Sequence, residues 1–119
     1  MANGQIGWVE LHAPDANKLA DFYEQAFGWK IQKDPNMPDY VMFTEPGGDI
    51  GGGFSSQIPK AGGQMYLLTD DIDETLETVK KAGGKTTKER TLITEDIGSW
   101  AQFEDPAGNV MGLFEQKGR

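Results

Sequence analysis

The amino-acid sequence predicts an α+β domain built from two βαβββ modules that share a core or a curved sheet. One observation is that the order strand, helix and three strands runs twice along the 119 residues. The other is a fixed displacement between the two predicted helices. Their caps, Asp15 and Asp71, and their glycine stops, Gly28 and Gly84, are separated by the same 56 positions. Each half is too small to bury its apolar faces alone, so an internal repeat of this length indicates a shared core or sheet.

The first module is expected over about residues 5–57, within one domain that spans residues 1–119. Its predicted strands are Ile6–His12, Trp29–Gln32, Tyr40–Thr44 and Asp49–Ser56. Its helix begins after the N-cap Asp15 and ends at Gly28. Apolar residues recur there with helical spacing, which predicts one buried stripe formed by Leu19, Phe22, Tyr23, Ala26 and Phe27.

The second module is expected over about residues 63–116. Asp71 is the predicted N-cap of its helix, and Glu74 three residues later is typical of a capping box. Gly83-Gly84 ends this helix. Its predicted strands are Gln64–Thr69, Lys85–Arg90, Trp100–Glu104 and Val110–Glu115.

Composition excludes several classes of function. The formal net charge of −8 argues against a nucleic-acid partner and against binding to an anionic membrane surface. The absence of cysteine excludes disulfides, thiolate nucleophiles and thiolate metal sites. The sequence contains no basic segment followed by an apolar run and no stretch long enough to span a membrane. We therefore expect a soluble cytoplasmic protein.

Three segments carry a resemblance to a known family. They are Trp8-Val9-Glu10-Leu11-His12-Ala13-Pro14-Asp15, Ala20-Asp21-Phe22-Tyr23-Glu24-Gln25-Ala26-Phe27-Gly28-Trp29 and Asp105-Pro106-Ala107-Gly108-Asn109-Val110-Met111-Gly112-Leu113. With them the chain resembles the vicinal oxygen chelate (glyoxalase/bleomycin resistance/dioxygenase) superfamily over nearly its whole length. The resemblance implies that the two βαβββ modules form a curved mixed sheet around a cleft. It is most similar there to small bacterial glyoxalase-like proteins of unassigned activity. The resemblance also implies a homodimer.

The same resemblance implies four metal-ligand positions, one on each of four strands. In this sequence they fall on Trp8, on Gln64, on Gly112 and within Gly51-Gly52-Gly53. Only Gln64 carries a side chain that could coordinate a cation, whereas a catalytic metal site needs about three protein ligands. The expectation is therefore a member of the superfamily without a metal or other cofactor.

Strand alternation then predicts the lining of the cleft. Trp8, Glu10 and His12 share one face of the first strand, and the apolar face should meet the helix. Alternation also places Gln64 and Tyr66 on the cleft side, and Trp100 is added from the neighbouring strand. The predicted ligand-binding residues are Trp8, Glu10, Phe54, Gln64, Tyr66 and Trp100. The alternative is that Trp8 fills the cleft and closes it.

Three functions remain open at this point. The first is a metal-independent protein that binds a small molecule, either aromatic or cationic. The second is a lyase, isomerase or dioxygenase-like enzyme that uses Glu10 and His12 as acid and base, or a non-standard metal site. The third is a structural or partner-binding module. The missing metal ligands favour a protein that is not an enzyme.

Overall fold

The computed structural model describes residues 3–48 and 50–116. Asp49, the first residue of one predicted strand, lies outside the described residues. The elements in chain order are β1 (Ile6–His12), α1 (Ala16–Phe27), β2 (Lys30–Lys33), β3 (Tyr40–Thr44), β4 (Gly51–Ser55), β5 (Gly62–Leu68), α2 (Ile72–Lys81), β6 (Lys85–Thr94), β7 (Gly98–Glu104) and β8 (Val110–Gln116). No helix within the described residues is long and apolar enough to cross a membrane.

The chain forms two compact units. Trp8–Gln64 makes one unit, which we call the first module, and the described residues before and after it make the second module. The strand order is β2-β3-β4-β1 in the first module and β5-β8-β7-β6 in the second. In each, the first strand pairs in parallel with the last, and the remaining pairs are antiparallel. The predicted repeat of two βαβββ modules is thus confirmed.

Helix α1 begins and ends where the sequence predicts. The side chain of Asp15 accepts hydrogen bonds from the backbone N–H groups of Asn17 and Lys18, at 3.0 and 3.2 Å. These bonds satisfy two of the donors that the first turn leaves unpaired. Gly28 has φ 73°, in the left-handed region, which lets the chain turn directly into β2.

The core of the first module lies between α1 and one face of its sheet. Its buried residues are Ala16, Ala20, Val41, Phe43 and Phe54. Tyr23 and Trp29 pack against them with stacked rings, whose centroids are 4.5 Å apart. An aromatic cluster of this kind fixes the helix on the sheet.

The predicted stripe on α1 was wrong at three positions, because Phe22 and Phe27 are 55% and 60% exposed and Ala26 is also exposed. At 100° per residue, Phe22 lies about 120° around the helix from Ala16, on which the buried face is centred. Phe27 is the last helical residue, and its ring centroid lies 6.0 Å from that of Tyr23. Two small alanines, not the two phenylalanines, set the closest approach of α1 to the sheet.

The second module buries Ile72, Leu76, Ala101, Phe103 and Leu113 between α2 and its sheet. The predicted cap is present, since the Asp71 carboxylate accepts from the backbone N–H of Glu74 at 3.1 Å. Strand β6 continues to Thr94, four residues beyond the predicted end at Arg90. It pairs only with β7 at the edge of this module's sheet, so its outer residues lack the apolar alternation of a buried strand.

Candidate functional site

One face of the first module's sheet is turned away from α1, and we call it the helix-free face. On β1 and β4, Leu11 pairs with Phe54, and both side chains point toward the helix. Because side chains alternate along a strand, the neighbouring residues point to the opposite face. The members of the helix-free face are Trp8, Glu10 and His12 on β1, Gly51, Gly53 and Ser55 on β4, and Tyr40 and Met42 on β3.

Two aromatic residues form a hydrogen-bonded pair across this face. The indole Nε1 of Trp8 donates to the hydroxyl oxygen of Tyr40 at 2.7 Å, although β4 separates their strands. The pair can form because β4 contributes only glycines beneath it. A Cβ atom on Gly53 would overlap the ring of Tyr40, and one on Gly51 would lie 3.4 Å from the Trp8 ring. Both aromatic side chains remain half-buried. The two rings therefore cover the glycines of β4, and we call the pair the aromatic platform.

A polar pair borders the aromatic platform. Nε2 of His12 lies 2.8 Å from Oε1 of Glu10, and the side chains are 8% and 14% exposed. Among the described residues, no fully buried side-chain nitrogen or oxygen lacks a hydrogen-bond partner. Within residues 3–48 and 50–116 this is the only side-chain contact of Glu10, so its second carboxyl oxygen is not fully buried. The pair could bind a donor group or transfer a proton.

Three of the four implied metal-ligand positions offer no ligand to a metal ion. Trp8 directs its indole N–H to Tyr40, and an N–H donor cannot coordinate a cation. In the second module, the ring of Tyr66 lies where a Cβ atom on Gly112 would project. In the first, the ring of Tyr40 covers Gly53. Within residues 3–48 and 50–116, no three His, Asp or Glu side chains lie close enough to hold a metal. Aromatic rings thus occupy the space of the expected ligands.

The other predicted ligand-binding residues fall in different places. Gln64 lies on β5 and is half-buried. Tyr66 and Trp100 belong to the second module, where both are half-buried and where Lys88 Nζ lies 5.8 Å from the Trp100 ring centroid. Phe54 does not lie on the helix-free face. It is fully buried against α1. The sequence could not show this, because the preceding glycines carry no side-chain alternation that would reveal which face of β4 Phe54 occupies.

The sequence prediction missed Tyr40 as a member of the site. The strand Tyr40–Thr44 was predicted, and its apolar residues Val41 and Phe43 are buried. Alternation therefore could have placed Tyr40 on the opposite face. No sequence pattern could have shown that its ring extends over Gly53 to the indole of Trp8.

The second module has two hollows, and none of the predicted ligand-binding residues lines either of them. A shallow depression of about 500 Å³ follows the turns at Gly83-Gly84 and Asp105–Gly108. A largely apolar cavity of about 150 Å³ lies beneath α2, next to Val79 and Phe103. Neither hollow is lined by Trp8 or Tyr40.

Comparison with known proteins identifies the family. A profile of the Glyoxalase/Bleomycin resistance protein/Dioxygenase superfamily matches residues 5–113. A glyoxylase-like domain-containing protein of Didymella fabae is 35% identical, over 98% of both chains. The anthracycline biosynthesis protein DnrV of Streptomyces peucetius is 29% identical, over 97% of this chain but only 48% of its own length. Among solved structures, methylmalonyl-CoA epimerase from Mycobacterium tuberculosis superposes with a TM-score of 0.73 at 13% identity, covering 96% of this chain and 89% of its own. This chain belongs to the glyoxalase/bleomycin resistance protein/dioxygenase superfamily.

Proposed function

We propose that this protein binds flat aromatic small molecules without a metal ion, and that its aromatic platform holds them. The observation that carries the proposal is the hydrogen-bonded pair of Trp8 and Tyr40 over the glycines of β4. Their hydrogen bond fixes the two rings, while their half-buried state leaves aromatic surface for a ligand. Stacking on rings that are already held in place costs little conformational entropy.

Two further facts bear on the class of ligand, one on its ring system and one on its charge. The relatives DnrV and DauV from Streptomyces are both named anthracycline biosynthesis proteins, and anthracyclines are flat polycyclic compounds. This chain spans about half the length of each, so their names suggest a class of ligand to test and do not assign their function to this chain. The net charge of −8 also suits a neutral or cationic ligand better than an anionic one.

The test is a calorimetric titration with doxorubicinone, a flat anthracycline aglycone without a sugar. We expect saturable binding by the wild-type protein and at least roughly tenfold weaker binding by Trp8→Ala and by Tyr40→Ala, the change that the loss of about 1.4 kcal/mol of stacking produces. The control is Phe22→Ala, which removes an exposed aromatic ring from α1. Thermal melts show whether each variant folds. Failure of the wild type to bind, or equal weakening by the control, would overturn the proposal.

A second candidate function is acid–base catalysis by Glu10 and His12. The 2.8 Å contact between their largely buried side chains favours it, since a carboxylate commonly orients a catalytic imidazole. If Glu10 is catalytic, the Glu10→Gln variant should bind doxorubicinone as the wild type does but should lose any chemical conversion of it that the wild type performs. If the wild type binds doxorubicinone but does not convert it, the catalytic function is ruled out and only ligand binding remains.

A homodimer and a cytoplasmic location remain predictions. Sedimentation of the purified protein tests the first, and fractionation of the source cells tests the second.

A further inference from the structure

We infer that Glu10 and His12 form the polar subsite of the aromatic platform and select aromatic ligands that carry an amino group. This inference rests on the proposed function, which concerns the platform alone. It adds a chemical class to the ligand and a role to the two residues.

Glu10 lies next to the aromatic platform in the register of the sheet. Glu10 pairs with Gly53 across β1 and β4, and the ring of Tyr40 lies on Gly53. Along β1, Glu10 is two residues from Trp8 on the same face, a separation of about 6–7 Å. A ligand ring on the platform would therefore present a substituent at its edge to this carboxyl group.

The pair is oriented before any ligand arrives. His12 holds one oxygen of Glu10 at 2.8 Å, and burial of both side chains limits their rotation. His12 sits beside Ser55, whose hydroxyl oxygen is already engaged by the backbone N–H of Gln57 at 3.2 Å. The carboxyl oxygen that reaches solvent is thus held in place next to the platform. A preorganised acceptor gains more from a ligand than a mobile one does.

The chemistry of this subsite points to an amino group. A carboxylate accepts hydrogen bonds and attracts positive charge, so it favours an ammonium group over a hydroxyl group and repels a carboxylate or phosphate. A cation at this position also lies beside the aromatic rings, whose faces attract positive charge. Among anthracyclines, a glycoside with an amino sugar meets this description, whereas its aglycone supplies the ring system alone.

The test compares doxorubicin, which carries an amino sugar, with doxorubicinone, which lacks it. Dissociation constants are measured by calorimetry for the wild type, Glu10→Gln, His12→Gln and Glu24→Gln. Glutamine at position 10 keeps the size of the side chain and can still accept from His12. Glu24 lies exposed on α1, so its substitution is the matched control for the loss of one negative charge.

We expect the wild type to bind doxorubicin roughly 10- to 100-fold more tightly than doxorubicinone, the range for one charge-assisted hydrogen bond. Glu10→Gln should bring this ratio close to one without weakening the aglycone. His12→Gln should reduce the ratio less, because the carboxylate remains but is no longer held. Glu24→Gln should leave the ratio unchanged, and thermal melts confirm that each variant is folded.

Three outcomes overturn the inference. If the wild type binds both compounds equally, the platform functions but has no amino-selective subsite. If Glu10→Gln weakens both compounds by the same factor, Glu10 supports the platform and does not read the amino group. If neither compound binds the wild type, the proposed function fails and this inference fails with it.

Discussion

The indole N–H of Trp8 donates a 2.7 Å hydrogen bond to the hydroxyl oxygen of Tyr40, and the two residues stand on strands separated by β4. Two strand spacings amount to about 10 Å, which only long side chains on one face can bridge. The absence of side chains on Gly51 and Gly53 lets both rings lie low over β4. The stretch of glycines is therefore part of the site's construction.

Tyr40→Phe removes the acceptor of the Trp8 N–H group while it keeps the aromatic ring. We expect a loss of about 1 kcal/mol in the free energy of unfolding, because a part-buried donor is left without its partner. Urea denaturation measures the change. Tyr23→Phe is the matched control, since the Tyr23 hydroxyl makes no hydrogen bond within the described part of the chain. Equal losses in the two variants would contradict a specific role for the Trp8–Tyr40 bond.

Gly53→Ala tests the approach of the Tyr40 ring to β4. The added methyl group would overlap the ring, which must move, and we expect a loss of about 1–3 kcal/mol in the free energy of unfolding. The same variant should also weaken binding of doxorubicinone. Gly51→Ala serves as the comparison, because its methyl group would meet the Trp8 ring at 3.4 Å and Phe43 O at 3.5 Å, close to ordinary contact distances. A Gly53→Ala protein as stable as Gly51→Ala would mean that Tyr40 does not lie on Gly53.

The sequence alone was sufficient for the elements and their repeat, because their signals are local. Asp15 and Gly28 bound α1 through hydrogen bonds and a backbone conformation that depend on a few neighbouring residues. The platform depends instead on residues 32 positions apart. Its placement follows from the pairing of β1, β4 and β3, and glycines carry no alternation that would reveal their phase.

The burial of α1 shows a second limit of pattern reasoning. Helical spacing includes Phe22 in the apolar stripe, but the close packing of Ala16 and Ala20 turns Phe22 toward solvent. We therefore expect Phe22→Ala to cost less than about 1 kcal/mol of stability and Tyr23→Ala about 3 kcal/mol. Chemical denaturation of the two variants distinguishes this arrangement from the predicted stripe. A larger loss for Phe22→Ala than for Tyr23→Ala would restore the original prediction.

Acid stability tests the network around Glu115. The Arg90 guanidinium, whose Nη2 donates to Oε2 at 2.7 Å, holds the pKa of the Glu115 carboxyl below its usual value of 4.5. The backbone N–H of Ile72 also donates to this carboxylate, at 2.8 Å, and so lowers the pKa further. A carboxyl whose folded pKa is lowered stabilises the fold above its unfolded pKa, and this stabilisation is lost as the pH falls through the folded value.

We accordingly expect Glu115→Gln to lose about 1–2 kcal/mol of stability at pH 7, with the difference from the wild type shrinking as the pH falls below 4.5. Unfolding free energies across this range measure the effect. Glu77→Gln, which disrupts the exposed pair with Lys80, should change stability by at most a few tenths of a kcal/mol. A difference for Glu115→Gln that does not vary with pH would show that packing, not charge, explains its role.

The most direct test of metal-independent binding is a titration of the protein with doxorubicinone in excess chelator. The aromatic rings of Tyr40 and Tyr66 occupy the positions from which metal ligands would project at Gly53 and Gly112, so binding should need no cation. We predict the same dissociation constant with the chelator as without it, and weakened binding by Trp8→Ala in both conditions. Binding that disappears in chelator and returns with one equivalent of a divalent metal would contradict the account.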